Sequence, residues 1–202
     1  MLFTWFSERA RGLLIVGGIA VAVSVCASAP PAEDVDDILL AQRYADAVTL
    51  QEAGQLDRAE QRFVAIAEDY PLRIEPRISL ALLQSADGRY EEAEDTLEAV
   101  VAASPDSAVA WNELGILRRR DGRFAEADEA YLRALGADQN YALAHRNRGI
   151  LMDLYTGQPA EALRHYRRYV EIAGADDEVD AWIAELELRV PADDNELVAE
   201  GR

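Results

Sequence analysis

The residues able to do chemistry are few, and their arrangement excludes more than it supports. His145 and His165 are the two histidines and Cys26 the single cysteine. A protein-only zinc site therefore has too few soft donors, and the two histidines read as neutral packing or surface groups. No Ser–His–Asp order, no pair of carboxylates framing a site and no glycine-rich phosphate loop can be nominated. All 20 basic residues are Arg, which removes lysine Schiff-base and phosphate-loop chemistry. The chain thus reads as a non-enzyme with no cofactor, no metal and no small-molecule substrate. Its 38 acidic residues against 20 basic ones give a net charge of −18 over 202 residues. A surface of that sign repels phosphate backbones, so nucleic-acid binding is not expected.

Two local charge concentrations stand out. The run Arg118-Arg119-Arg120, with Arg123 nearby, has two readings. It neutralises the negative end of a helix, or it holds an acidic partner motif in Arg forks. Glu91, Glu92, Glu94, Asp95 and Glu98 read as the solvated outer face of another helix.

The N-terminal segment is an address. Arg9 and Arg11 precede an uncharged apolar run over residues 13–26, the order of a secretory signal peptide and short for a transmembrane helix of roughly 20 residues. Val23-Ser24-Val25-Cys26 resembles the lipobox of bacterial lipoproteins, in which the cysteine is lipidated and becomes the first mature residue. Val25 departs from the small residue usual there. Cleavage after Ala27 and a retained N-terminal anchor are the competing readings. Residues 1–26 are thus the signal peptide and 27–37 an acidic, Pro-rich tether. Ala27 after the cysteine favours the periplasmic face of the outer membrane. An inner-membrane anchor facing the periplasm is the alternative.

The elements behind these residues follow from a repeat of 34. Gly54, Gly88 and Gly122 fall in register, as do Ala59, Ala93 and Ala127, then Phe63, Leu97 and Tyr131. Ile66, Val100 and Ala134 follow, and Pro71 and Pro105 have Gln139 in their place. A fourth copy runs one residue late, with Gly157, Pro159, Ala162, Tyr166 and Gly174. The glycines turn the chain back at positive φ, the alanines mark the closest approach of paired helices, and proline stops the second helix. Apolar spacing between these marks is helical, so each unit is a helix–turn–helix hairpin. Val179, Trp182, Ile183, Leu186 and Val190 form one stripe of a closing helix over residues 177–189, capped at Asp176 or Asp177. Trp182 reads as a lid on the fourth unit or as a partner contact.

On these marks the chain resembles the tetratricopeptide-repeat (TPR) family, most sharply at Trp111, Leu114, Gly115, Gly122, Phe124, Ala127, Tyr131 and Ala134. Arg77 and Ala81 in the second copy, and Arg43 and Asp46 in the first, depart from the pattern. The resemblance implies an all-α, right-handed superhelix of about four repeats over residues 38–174. A capping helix over residues 175–190 and an acidic flexible tail over residues 191–202 complete the expectation. It also implies a concave surface lined by each repeat's first helix and occupied by a partner peptide or helix.

Three columns of residues line that surface at the repeat period. Val48, Leu82, Ile116 and Ile150 form an aliphatic floor; Tyr44, Ile78, Asn112 and Arg146 change from apolar to polar; Gln51, Ser85, Arg119 and Asp153 form the third. The floor accepts an amphipathic segment, or it packs between neighbouring helices with only its edge exposed. Arg119, Arg146 and Asn112 are expected to orient a carboxylate of the partner. The segments at residues 149–155, 162–166 and 182–186 are similar to TPR proteins associated with TonB-type energy-transduction systems. Pilus-assembly lipoproteins of the pilotin kind share the anchor-plus-repeats plan, and an adaptor for peptidoglycan hydrolases or proteases is a further alternative. Each places the protein partner in the cell envelope and the membrane at the N-terminal lipid or anchor.

Overall fold

The computed structural model describes residues 35–190. The signal peptide, Cys26, most of the tether and the acidic tail lie outside the described residues. Nine α-helices and no strand occur among the described residues. They are α1 (Val35–Glu52), α2 (Leu56–Asp69), α3 (Glu75–Ala86), α4 (Tyr90–Ala103), α5 (Ala108–Arg120), α6 (Phe124–Ala137), α7 (Ala142–Leu154), α8 (Pro159–Ala173) and α9 (Asp177–Arg189). Val35, Asp36 and Asp37, read from the sequence as the end of the tether, form the first turn of α1, where acidic residues suit the helix dipole.

Each hairpin turns on a left-handed glycine: Gly54 at φ 70°, Gly88 at φ 81° and Gly122 at φ 79°. The amide after the glycine reaches five residues back, as in Gln55 to Leu50, Arg89 to Gln84 and Arg123 to Arg118. The glycine's own amide bonds Gln51, Ser85 and Arg119. These two bonds together satisfy the last carbonyls of the first helix. The extra residue before Gly157 breaks this pattern: Gln158 bonds the carbonyl of Met152, one residue further back.

The small-residue column does what its spacing predicts. Ala59, Ala93, Ala127 and Ala162 are fully buried, and beside them Phe63, Leu97, Tyr131 and Tyr166 fill the space between helices. Each buried ring removes roughly 150–250 Å² of surface from water. The apolar clusters run across repeat boundaries. Ala93, Leu97 and Val100 pack with Ala110, Leu114 and Ala130 of the next unit, and Ala127 and Tyr131 pack with Leu151. A lone hairpin would leave these faces wet, so the stack is the unit of stability. Its last open face is closed by α9. Asp176 caps α9 by accepting from the Glu178 and Val179 amides, and Val179 and Leu186 join Tyr166 in the core. The Trp182 ring rests on the Tyr166 ring at 5.2 Å, which makes Trp182 part of the lid.

Charged ladders run parallel to the apolar ones. Arg89 forks onto Glu60 of the preceding unit through bonds of 2.7 and 2.9 Å. Arg123, one period on, bonds Glu94 through Nη2 alone. Glu94 therefore departs from the solvated face expected for it. It is also bonded by Arg118 at 3.1 Å. Against the opposing effect of its burial, hydrogen bonds from Arg123 and Arg118 hold its carboxyl below the ordinary range. Glu91, Glu92, Asp95 and Glu98 stay exposed.

Gly115 and Gly136 separate packing from propensity. A Cβ on Gly115 would meet the buried Tyr131 ring at 2.6 Å from Cδ1, whereas one on Gly136 meets nothing within 4 Å. Gly115→Ala should destabilise by about 1–3 kcal/mol, and Gly136→Ala should stabilise by roughly 0.5–1 kcal/mol. Urea-unfolding midpoints of the two variants check both signs.

Candidate partner-binding groove

On α5 the buried residues Ala110, Asn112, Leu114, Gly115 and Leu117 leave one stripe toward solvent: Val109, Glu113, Ile116 and Arg120. Their spacing puts them on a single helical face. The corresponding stripe of α7 is Leu143, Ile150 and Leu154, with the buried Asn147 beneath it, and that of α3 is Glu75, Ser79, Leu82 and Ala86. Leu82 is 41% exposed and Leu143 46%, so the aliphatic surface is wetted across several repeats. Val48, Ile116 and Ile150 are partly buried along the same column. Val48 packs beside the core of the first unit, Ile116 beside that of the third and Ile150 beside that of the fourth.

The second column is a set of rungs between first helices. The Tyr44 hydroxyl and the Ser79 hydroxyl share a 2.6 Å hydrogen bond, and Asn147 donates from Nδ2 to Asn112 Oδ1 at 2.9 Å. This corrects two expectations. Asn112 is 1% exposed and spent on the α5–α7 contact, and Ile78 is 9% exposed and part of the core. Neither presents its side chain to a partner, because neighbouring first helices approach closely enough to cover this column.

The two arginines expected to orient a carboxylate are engaged within the fold. Arg119 donates from Nε to the Tyr131 hydroxyl at 3.3 Å and lies over the Tyr155 ring. Arg146 pairs with Glu178 of α9 at 3.0 Å and lies over Trp182. In the third column, Asp153 pairs with Arg189 at 3.3 Å, while Gln51 and Ser85 are partly buried. Of the basic run, Arg118 binds Glu94 and Glu98 and Arg120 stacks on Tyr90. All three sit in the last turn of α5, where the helix dipole favours them.

The histidines form a directed chain. Arg148 pairs with Asp128 at 2.7 Å and meets His165 Nε2 at 3.0 Å. His165 Nδ1 meets His145 Nδ1 at 2.8 Å, and His145 Nε2 meets the Gln139 carbonyl at 3.1 Å. A guanidinium can only donate, so His165 accepts at Nε2 and carries its proton on Nδ1. It gives that hydrogen bond to His145, which donates in turn to Gln139. Both rings are neutral in this arrangement. Burial, with Arg148 close behind, pushes the His165 pKa down to about 3. Burial also lowers that of His145. The pair takes the place of a bulky ring one repeat earlier, where Trp111 donates to the Pro105 carbonyl at 2.9 Å beside Ala130.

A tetratricopeptide-repeat family model matches residues 44–108 and 78–142. Residues 44–142 are built of tetratricopeptide repeats. Solved TPR-like structures share the fold over most of this chain. The MamA protein is 19% identical, with a TM-score of 0.61, over 80% of this chain and 87% of its own. The pilF protein of Pseudomonas aeruginosa is 20% identical, with a TM-score of 0.68, over 82% and 78%. The first TPR of Spaghetti (RPAP3), solved with the HSP90 peptide SRMEEVD, is 20% identical, with a TM-score of 0.53, over 56% and 89%. No curated protein matches the chain in sequence. A TPR solenoid presents an extended binding surface, and the chain is a protein-interaction scaffold in that sense.

Column-by-column reading overlooked Glu113 and Asn147. The rung from Asn147 to Asn112 spans one residue more than the period, as does that from Tyr44 to Ser79. A search for polar pairs at that offset is the signal that finds them.

The TPR geometry gives two expected outcomes. The folded chain keeps both histidines neutral, while the unfolded chain protonates them near pH 6.5. Their contribution is present above that pH and is lost as pH falls toward about 3, by about 1.4 kcal/mol per unit and group. The drop in urea midpoint between neutral pH and about pH 4.5 should shrink in His165→Gln. Arg146→Glu sets two carboxylates together at the cap, and thermal melting should show destabilisation of about 1 kcal/mol.

Proposed function

We propose that this chain is a non-catalytic scaffold of the bacterial cell envelope that lays a helical or extended segment of a partner protein along its first-helix face. The observation carrying this reading is the wetted aliphatic stripe of Leu82, Val109, Ile116, Leu143, Ile150 and Leu154. Leu154 is 67% exposed. Such a row, repeated on successive rigid helices, suits an amphipathic partner that repeats its own apolar residues. Tyr44, Val48 and Leu82 supply the near end of the groove and Ile116 and Ile150 its far floor. Arg119 and Arg146 stiffen the far end through their aromatic partners rather than reaching into it.

The envelope placement rests on the sequence: the apolar run over residues 13–26, the lipobox-like Cys26 and the acidic stretch that follows. No helix among the described residues is long and apolar enough to cross a membrane, so in this reading attachment falls to the N-terminal lipid or anchor. Within the envelope, the resemblance of residues 149–155, 162–166 and 182–186 to TPR proteins of TonB-type systems favours a component of such a transport system. The second reading is a pilus-assembly lipoprotein, which the lipobox-then-repeats order supports and with which the fold likeness to pilF is compatible.

Affinity capture from detergent-solubilised envelopes, read by mass spectrometry, tests this. Energy-transducing proteins should be recovered with the wild-type chain and lost with Leu82→Ser combined with Leu143→Ser. Each exposed leucine contributes up to roughly 1.5–3 kcal/mol when buried by a partner. The double variant should keep its helical circular dichroism. Recovery of a pilus secretin instead would select the second reading, and intact mass of membrane-extracted protein should show the lipid on Cys26.

A further inference from the structure

We propose that Glu113 is the receptor for a cationic side chain, an arginine or lysine, of the segment that occupies the groove. The inference rests on the groove reading above and adds the chemistry of its occupant.

The first observation is a missing partner. Five other acids withdrawn from solvent each hold an arginine: Glu60 holds Arg89, Glu94 holds Arg118 and Arg123, Asp128 holds Arg148, Asp153 holds Arg189 and Glu161 holds Arg164, while Asp176 is occupied by the Tyr169 hydroxyl and the amides of the α9 cap. Glu113 is partly buried as they are, yet its one hydrogen bond among the described residues comes from the Asn112 amide at 3.0 Å. An amide supplies a dipole and no charge. Asn112 is itself pinned by Asn147, so the carboxylate is held in place rather than left to swing into water.

The second observation is the setting. Glu113 lies on the open stripe of α5 between Val109 and Ile116, and the neighbouring stripe on α7 offers Leu143 and Ile150. The same register position holds Ala45, Ser79 and Asn147 in the other repeats, so stacking the repeats does not call for a carboxylate there. Burial pushes the Glu113 carboxyl above its ordinary range, with the Asn112 bond opposing. A carboxylate in apolar surroundings is compensated by a cation, and the combination of charge-assisted bond and apolar flank suits a long basic side chain with its aliphatic stem.

The third observation is charge. Arg120 shares the stripe, but it is stacked on Tyr90 and about 10 Å farther along the helix axis. Arg119 and Arg146 are committed to Tyr155, Trp182 and Glu178. The Glu113 carboxylate is therefore left without a paired cation, and its complement is a basic residue within an apolar sequence.

Selection of random displayed peptides on the full-length chain tests the proposal. Enriched peptides should carry Arg or Lys at one fixed position among apolar residues. Replacing that residue by Ala, or using Glu113→Gln, should weaken binding by tenfold or more. The glutamine keeps an acceptor for Asn112, so the melting temperature of this variant should be unchanged or higher, an outcome a merely structural glutamate would not give. Peptides that need Leu82 and Leu143 but show no basic preference, show an acidic one, or bind Glu113→Gln unchanged overturn this inference and leave the groove standing. Failure to select any peptide, or selection of peptides indifferent to Leu82 and Leu143, overturns both.

Discussion

Each hairpin's second helix turns a fully buried alanine inward, at Ala59 and again at Ala93, Ala127 and Ala162. Most of the molecule follows from that placement. It sets the hairpin's width, which decides that the ring at Phe63, Tyr131 or Tyr166 projects toward the next hairpin. Within the hairpin the ring fits against a glycine of the first helix, Gly115 under Tyr131 and Gly149 under Tyr166. The rest of the ring is left for the next unit, as Tyr131 packs with Leu151 of α7. Cooperative stacking is thus written into each unit as an unfinished contact, and α9 finishes the last one with Val179, Trp182 and Leu186.

The strong negative charge coexists with this stack because the arginines are placed with care. Arg89 and Arg123 sit at the start of second helices and reach back across a repeat boundary, so each ties a turn to the previous hairpin. Surface ion pairs contribute little singly. These forks are partly buried and in register with the apolar clusters, so their role is to fix the angle between units. The histidine chain at Arg148, His165 and His145 does related work in the fourth repeat, with hydrogen bonds in place of net charge.

Much of the fold was legible because its constraints are periodic. The glycines, alanines and rings recur at the same offset, and the closing helix announced itself through Asp176 and the stripe ending at Val190. What stayed hidden depends on the gap between neighbouring first helices, which no single column reveals. Asn112 looked like a surface amide because its own helix places it near the groove, but Asn147 of α7 closes over it. Arg119 and Arg146 looked free because their aromatic partners, Tyr155 and Trp182, lie outside the shared pattern. Glu94 looked solvated because its arginines come from the following repeat.

The residue inserted before Gly157 gives the molecule a direction of growth. Between Glu60 and Arg123 the units are interchangeable in phase, so duplicating one of them would lengthen the stack while every fork still found its mate. Past Asp128 the phase is lost: Gln158 stands where the next arginine would be, and Asp128 has turned to Arg148 instead. A copy pasted there would meet a seam of a different cut. A duplication that keeps every such pair is thereby open only in the middle of the chain, while the fourth hairpin and lid hold together as one block.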